Sequence, residues 1–98
     1  MLFVISCTDK PGALALRAAT RPAHIAHLSA VAGRILLGGP VLDPEGRPVG
    51  STLVIEAADR ADAEAFAAAD PYVQAGLFES VVIRPFRAVF QDGRQVAG

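Results

Sequence analysis

The sequence predicts an α+β domain of the ferredoxin-like kind, with the order strand–helix–strand–strand–helix–strand. Three observations predict it. Short runs of branched and aromatic residues alternate with alanine-rich helical stretches. The two middle runs are joined by Asp43-Pro44-Glu45-Gly46, a turn with Pro second and Gly fourth, so they should form a hairpin. The chain has 98 residues, enough for one core and too few for two. With right-handed crossovers, this order gives a four-stranded antiparallel sheet with both helices on one face.

Taken in order, Leu2 to Thr8 is short, apolar and stopped by Asp9-Lys10-Pro11-Gly12, which is a strand pattern. Phe3, Ile5 and Cys7 face one side of it, Leu2, Val4 and Ser6 the other. Both sides are largely apolar, so both faces of the sheet should be covered. A helix starts at Ala13 to Arg17, and Pro22 then imposes a kink or a fresh start. The renewed segment runs to about Ala32 and stops at Gly33. Ile25, Leu28 and Ala32 give it an apolar stripe, which His24 borders and His27 flanks.

Arg34 to Leu42 is a second strand, in which Gly38-Gly39-Pro40 suggests a bulge or a close approach by another group. Thr52 to Glu56 is the third. Asp59 should cap a second helix, with Asp62 and Glu64 near its positive end and Phe66 as its one large anchor. Asp70-Pro71 ends or bends that helix. Tyr72 to Gly76 is a short turn, and Leu77 to Phe86 is the fourth strand. The domain spans residues 1–90, and 91–98 are expected to form a loose tail.

Composition narrows the function. Hydrophobic residues make up 52% of the chain and charged ones 19%, so apolar surface is in excess for a small domain. Stacking two sheets in a homodimer would bury that excess. A net charge of -1 with scattered basic residues does not suit nucleic acid or an anionic membrane as partner. The aromatic-basic strand motif of RNA-recognition domains is missing too. One cysteine, Cys7, allows no internal disulfide and fits a reducing, cytoplasmic setting. The start Val4-Ile5-Ser6-Cys7 superficially resembles a lipoprotein cleavage site. It lacks the basic start and the length of apolar core that a signal peptide needs, so it reads as a strand.

The chemistry-bearing residues are few. His24 and His27 are the only histidines. An imidazole titrates near neutrality, and a carboxylate accepting one ring N–H fixes its tautomer and steadies the imidazolium. Asp70, before a Pro-fixed turn, is the natural carboxylate. The plainer alternative is a histidine beside the core and an aspartate that only caps a turn. His27 reads as a flanking surface residue, and no third ligand makes a zinc site with these two. Ser51 would donate to substrate but has no Gly-x-Ser-x-Gly setting for covalent catalysis. Gly39 would offer backbone amides to an anion, or merely mark a bulge. Tyr72 closes a pocket or packs at a dimer seam. Arg21 attracts a carboxylate or faces solvent. Cys7, without a basic neighbour in sequence, is a core residue.

An ordered set of short pieces resembles the YCII-related family of the dimeric α+β barrel superfamily. They are Leu2-Phe3-Val4-Ile5, Arg21-Pro22-Ala23-His24 with Leu28, Gly38-Gly39-Pro40, Gly50-Ser51, Ala69-Asp70-Pro71-Tyr72, Ala75-Gly76 and Arg84-Pro85-Phe86. The resemblance runs through Phe90. It implies a homodimer and a pocket lined by a His-Asp pair, here His24 and Asp70. It also implies small enzymes, with dehydrohalogenase- or lyase-like chemistry known for a member. The expected function is cofactor-free general acid–base chemistry on a small activated carbonyl or carboxylate compound. A non-catalytic ligand-binding or dimerisation module is the alternative, since this fold hosts both.

Overall fold

A computed structural model describes all residues, Met1–Gly98. The elements run β1 (Leu2–Asp9), α1 (Leu14–Ala30), a 3₁₀ turn (Ala32–Arg34), β2 (Ile35–Leu42), β3 (Pro48–Glu56), α2 (Arg60–Ala68), α3 (Pro71–Gln74) and β4 (Phe78–Phe86). A small hairpin, β5 (Phe90–Gln91) with β6 (Arg94–Gln95), follows. The main sheet has the order β2-β3-β1-β4, and its strand pairings are antiparallel. This is the expected α+β architecture.

The period-two pattern of β1 sets the layers. Phe3, Ile5, Cys7 and Asp9 are buried on the helix side, and Leu53 and Ile55 of β3 face the same way. Ala63, Phe66 and Ala67 of α2 close this core. β1 is central, paired to β3 on one side and β4 on the other, so it carries Asp9 under the helices. Near its end the register with β4 slips by one residue, leaving Glu79 unpaired opposite Thr8 and Asp9.

Four expectations are corrected or narrowed. Of the kink or fresh start expected at Pro22, the fresh start does not occur; α1 is one helix of 17 residues with Pro22 inside it. The tertiary contacts of Arg17 and His24, the two buried residues of α1, span the proline and hold both halves in register. Of the bulge or close approach expected at Gly38-Gly39-Pro40, only the close approach occurs, by Leu53 at Gly38; the register with β3 is continuous there and slips only between Ile35 and Leu37 and between Val41 and Leu42. The short turn after Asp70 is a helical turn, α3, with Pro71 in its first turn. Residues 91–98 carry β6 and most of a hairpin instead of a loose tail, because Asp92 and Gly93 both take positive φ, 53° and 76°, as a tight hairpin turn demands.

The sheet face opposite the helices has no covering layer. Val82 and Phe86 of β4 lie on it at 38% and 44% exposed, and Leu37 of β2 reaches 72%. No helix is long and apolar enough to cross a membrane.

Candidate active site

The site is assembled from α1, α3 and the ends of β1 and β3. Arg17, Arg21, His24 and Leu28 are spaced by four, three and four residues, so they share one face of α1. That face borders a cleft of about 670 Å³ between α1 and strands β2 and β3.

Asp70 has a double role. Its backbone is extended, and its Oδ1 accepts the Tyr72 backbone N–H at 2.9 Å, capping α3. The same oxygen lies 2.8 Å from His24 Nδ1. The far end of α3 is closed equally firmly. Gly76, at φ 73°, lets its own N–H reach Val73 O at 3.1 Å and the Leu77 N–H reach Tyr72 O at 3.1 Å. This four-residue helix, fixed at both ends, holds Tyr72 against His24 with ring centroids 3.9 Å apart and planes 20° from parallel. Phe78 meets the tyrosine ring edge-on at 5.9 Å.

Behind the imidazole stands a second polar unit. Arg17 donates through Nε and Nη2 to the two oxygens of Asp9, at 2.7 and 2.9 Å. Its Nη2 also donates to Gly50 O at 2.8 Å and Ser51 Oγ at 2.9 Å. The guanidinium sits 4.8 Å from the centre of the Tyr72 ring. Its hydrogen bonds with Asp9 hold the Arg17 pKa above its ordinary value, against the cost of burial.

Apart from the approach of the Arg17 guanidinium to the Tyr72 hydroxyl, three polar atoms of this assembly find no hydrogen-bond partner within the protein: His24 Nε2, Tyr72 Oη and Arg17 Nη1. No sealed side-chain nitrogen or oxygen lacks a partner. These three atoms therefore lie where the cleft reaches them, although His24 is only 8% exposed and Tyr72 only 1%. Burial raises the tyrosine pKa, and Arg17 only partly opposes this, so the phenol is a proton donor at neutral pH. Cys7 lies beneath, with its thiol pushed up to about 12 by burial first and the charge of Asp70 second. It is a packed thiol and not a nucleophile.

Of the residues singled out from sequence, His24, Asp70 and Tyr72 touch one another. Ser51 joins them through Arg17. Arg21 is exposed on the cleft wall and makes no ion pair. His27 is half-buried on the flank and does not line the cleft. The Gly-Gly pair divides its duties. A Cβ on Gly38 would run into Leu53 Cδ2, so the group that needs its missing side chain is the protein's own leucine. Gly39 lies opposite Thr52, on the face away from the helices, and only its backbone edges the cleft. Arg17 and Asp9 were not picked out from sequence. The available signal was Arg17's position seven residues before His24, two turns along the same helix face.

The YCII-related domain model matches residues 1–87. The chain belongs to the YCII-related family. Protein YciI of Escherichia coli O6:H1 is 42% identical over 98 residues, covering 92% of this chain and 100% of that one. An uncharacterized protein of Haemophilus influenzae is 36% identical with the same coverage. Among solved structures, the YCII-related chain is similar to 5-chloro-2-hydroxyhydroquinone dehydrochlorinase (TftG) from Burkholderia phenoliruptrix AC1100, seen in complex with 2,5-dihydroxybenzoquinone. The TM-score is 0.83 at 33% identity, over 89% of this chain and 94% of that one. Structural neighbours of this YCII-related domain are dimeric α+β barrel proteins.

Proposed function

We propose that this chain is a small lyase- or dehydrohalogenase-type enzyme whose general base is His24. The observation that carries the reading is the state of the imidazole: Nδ1 is held by Asp70 at 2.8 Å, and Nε2 is left free toward the cleft. Similarity to a dehydrochlorinase supports the reaction class. In the proposed step, Nε2 takes a proton from an acidic C–H or O–H of a small activated carbonyl compound. The electron pair left behind moves through the conjugated system and expels a leaving group, such as halide, as its anion. The imidazolium then returns its proton to water. Substrate loses H⁺ and X⁻, so the electrons balance with no oxidant and no cofactor. Asp70 orients the ring and steadies the imidazolium. Arg17 Nη1, the Tyr72 hydroxyl and Ser51 are the donors for the oxygen that gains charge, a role for which preorganised groups out of bulk water are well suited.

The working unit in this reading is a homodimer, in which a second sheet covers the exposed apolar face of the first. The free buried Cys7 suits a cytoplasmic setting.

The test is a panel of small carbonyl and chloroaromatic ring-cleavage compounds assayed with the native chain and with His24→Ala. Replacing the base should cost roughly 10²–10⁴-fold in turnover while circular dichroism stays native. Undiminished activity in that variant would end the acid–base reading and leave the non-catalytic ligand-binding module.

A further inference from the structure

The cleft is much larger than the reaction needs. A single aromatic ring is accommodated in about 150 Å³ of apolar cavity, and this cleft holds about 670 Å³. The surplus space is apolar. From the polar cluster the cleft follows α1 past Ile25 and Leu28 to Ala32, with Ile35, Leu36 and Leu53 of the sheet opposite. Along α1 it extends from Leu14 to Ser29, roughly 22 Å by the helical rise. The polar end is lined by the cations Arg17 and Arg21 together with His24, and no Asp or Glu lines the cleft. The two carboxylates nearby, Asp9 and Asp70, stand behind Arg17 and His24 and are buried against them.

We infer that the substrate has two parts: an anionic oxygen head at Arg17, Arg21 and His24, and an apolar tail lying along α1 toward Ala32. The inference rests on the acid–base reading for the position of the head, and adds the class of compound. The side chains at each end support each half. An ionised head is attracted by Arg21, which has no partner of its own, and accepts from Arg17 Nη1, which has a free donor. A tail of methylene or aryl groups removes from water the side chains of Ile25 and Leu28 on α1 and Leu36 on the facing strand, apolar walls that the fold leaves uncovered next to the polar cluster. Both walls belong to the same cleft as the reacting end, so one molecule spans both.

The test uses a homologous series of straight-chain 2-oxo acids, from three carbons to ten, with binding to the native 98-residue chain followed by amide chemical shifts. Each added methylene should tighten binding about three- to fourfold until the groove is full, after which the series levels off. Ala32→Trp should fill the far end and make the series level off several carbons earlier. Matched methyl ketones, lacking the carboxylate, should bind at least tenfold more weakly than the acids of equal length. A flat series overturns the tail, and equal affinity of acids and ketones overturns the anionic head. Either failure leaves the His24→Ala turnover result untouched, and loss of the acid–base reading would leave the affinity slope standing.

Discussion

At the scale of single residues, the site depends on two buried polar pairs that differ in kind. The His24–Asp70 pair has one free nitrogen and is built for exchange of a proton. The Arg17–Asp9 pair uses both carboxylate oxygens and also reaches Gly50 and Ser51, and is built for rigidity. Removing one member of such a buried pair strands the other charge. Arg17→Met should therefore lower unfolding free energy by about 3–5 kcal/mol. Adding Asp9→Leu to it should recover most of the loss, because an apolar pair strands no charge. Urea titrations of the single and double variants decide this; equal stability of Arg17→Met and native chain would contradict it. Cys7 makes a prediction about pH. Its folded pKa is raised to about 12 from an ordinary 9.0, so the folded state holds this proton more tightly than the unfolded chain. Stability from this group is full below pH 9 and is lost as pH rises toward 12, by at most ~1.4 kcal/mol per pH unit. Comparing urea midpoints at about pH 8 and about pH 10.5, Cys7→Ala should lose less on going alkaline than the native chain. Identical losses would show that the thiol is not the source.

At the scale of elements, the sheet tolerates a side chain at one glycine and not at another. A Cβ on Gly50 would meet the backbone carbonyl of Cys7, and backbone cannot turn aside as a side chain does. Gly50 O also receives Arg17 Nη2, so any shift there disturbs the site. Gly39 has open space around the corresponding position and an ordinary extended backbone. Gly50→Ala should destabilise the fold by about 1–3 kcal/mol or more, and Gly39→Ala by less than about 0.5. Thermal melts of the two variants separate them, and a larger loss at Gly39 would refute the assignment. The caps of α3 were partly legible in the chain, since Asp-Pro at one end and Gly at the other is a start and a stop. That the capping carboxylate serves a histidine on another helix was not legible, because the contact joins residues 46 positions apart.

At the scale of the molecule, the sheet has one clothed face and one bare one. Helices cover Phe3, Ile5 and Ile55, while Val82, Phe86 and Leu37 remain exposed. The hairpin β5–β6 adds Phe90, 73% exposed. A homodimer through the bare face predicts that sedimentation gives twice the 10.2 kDa of one chain. Val82→Glu, which sets a charge on that face, should shift the mass to that of a single chain with circular dichroism unchanged. A native chain sedimenting as a monomer at micromolar concentration would remove the dimer from the functional reading.

Residue order by itself determined the order of the four sheet strands and the two longer helices, the sheet's antiparallel class and the cap at Asp59, because these follow from periodicity and from turn and cap residues a few positions apart. His24 and Asp70 could also be named in advance, one imidazole on an apolar helix face and one aspartate before proline. Only the tertiary structure decided that Pro22 lies within an unbroken helix, that Arg17 is buried on Asp9, and that an apolar groove continues from the imidazole along α1. A backbone break is a local preference, and long-range packing outweighs it by several contacts. Burial of a charge and the shape of a void belong to no single segment; they exist only once α1, α3 and the sheet are brought together.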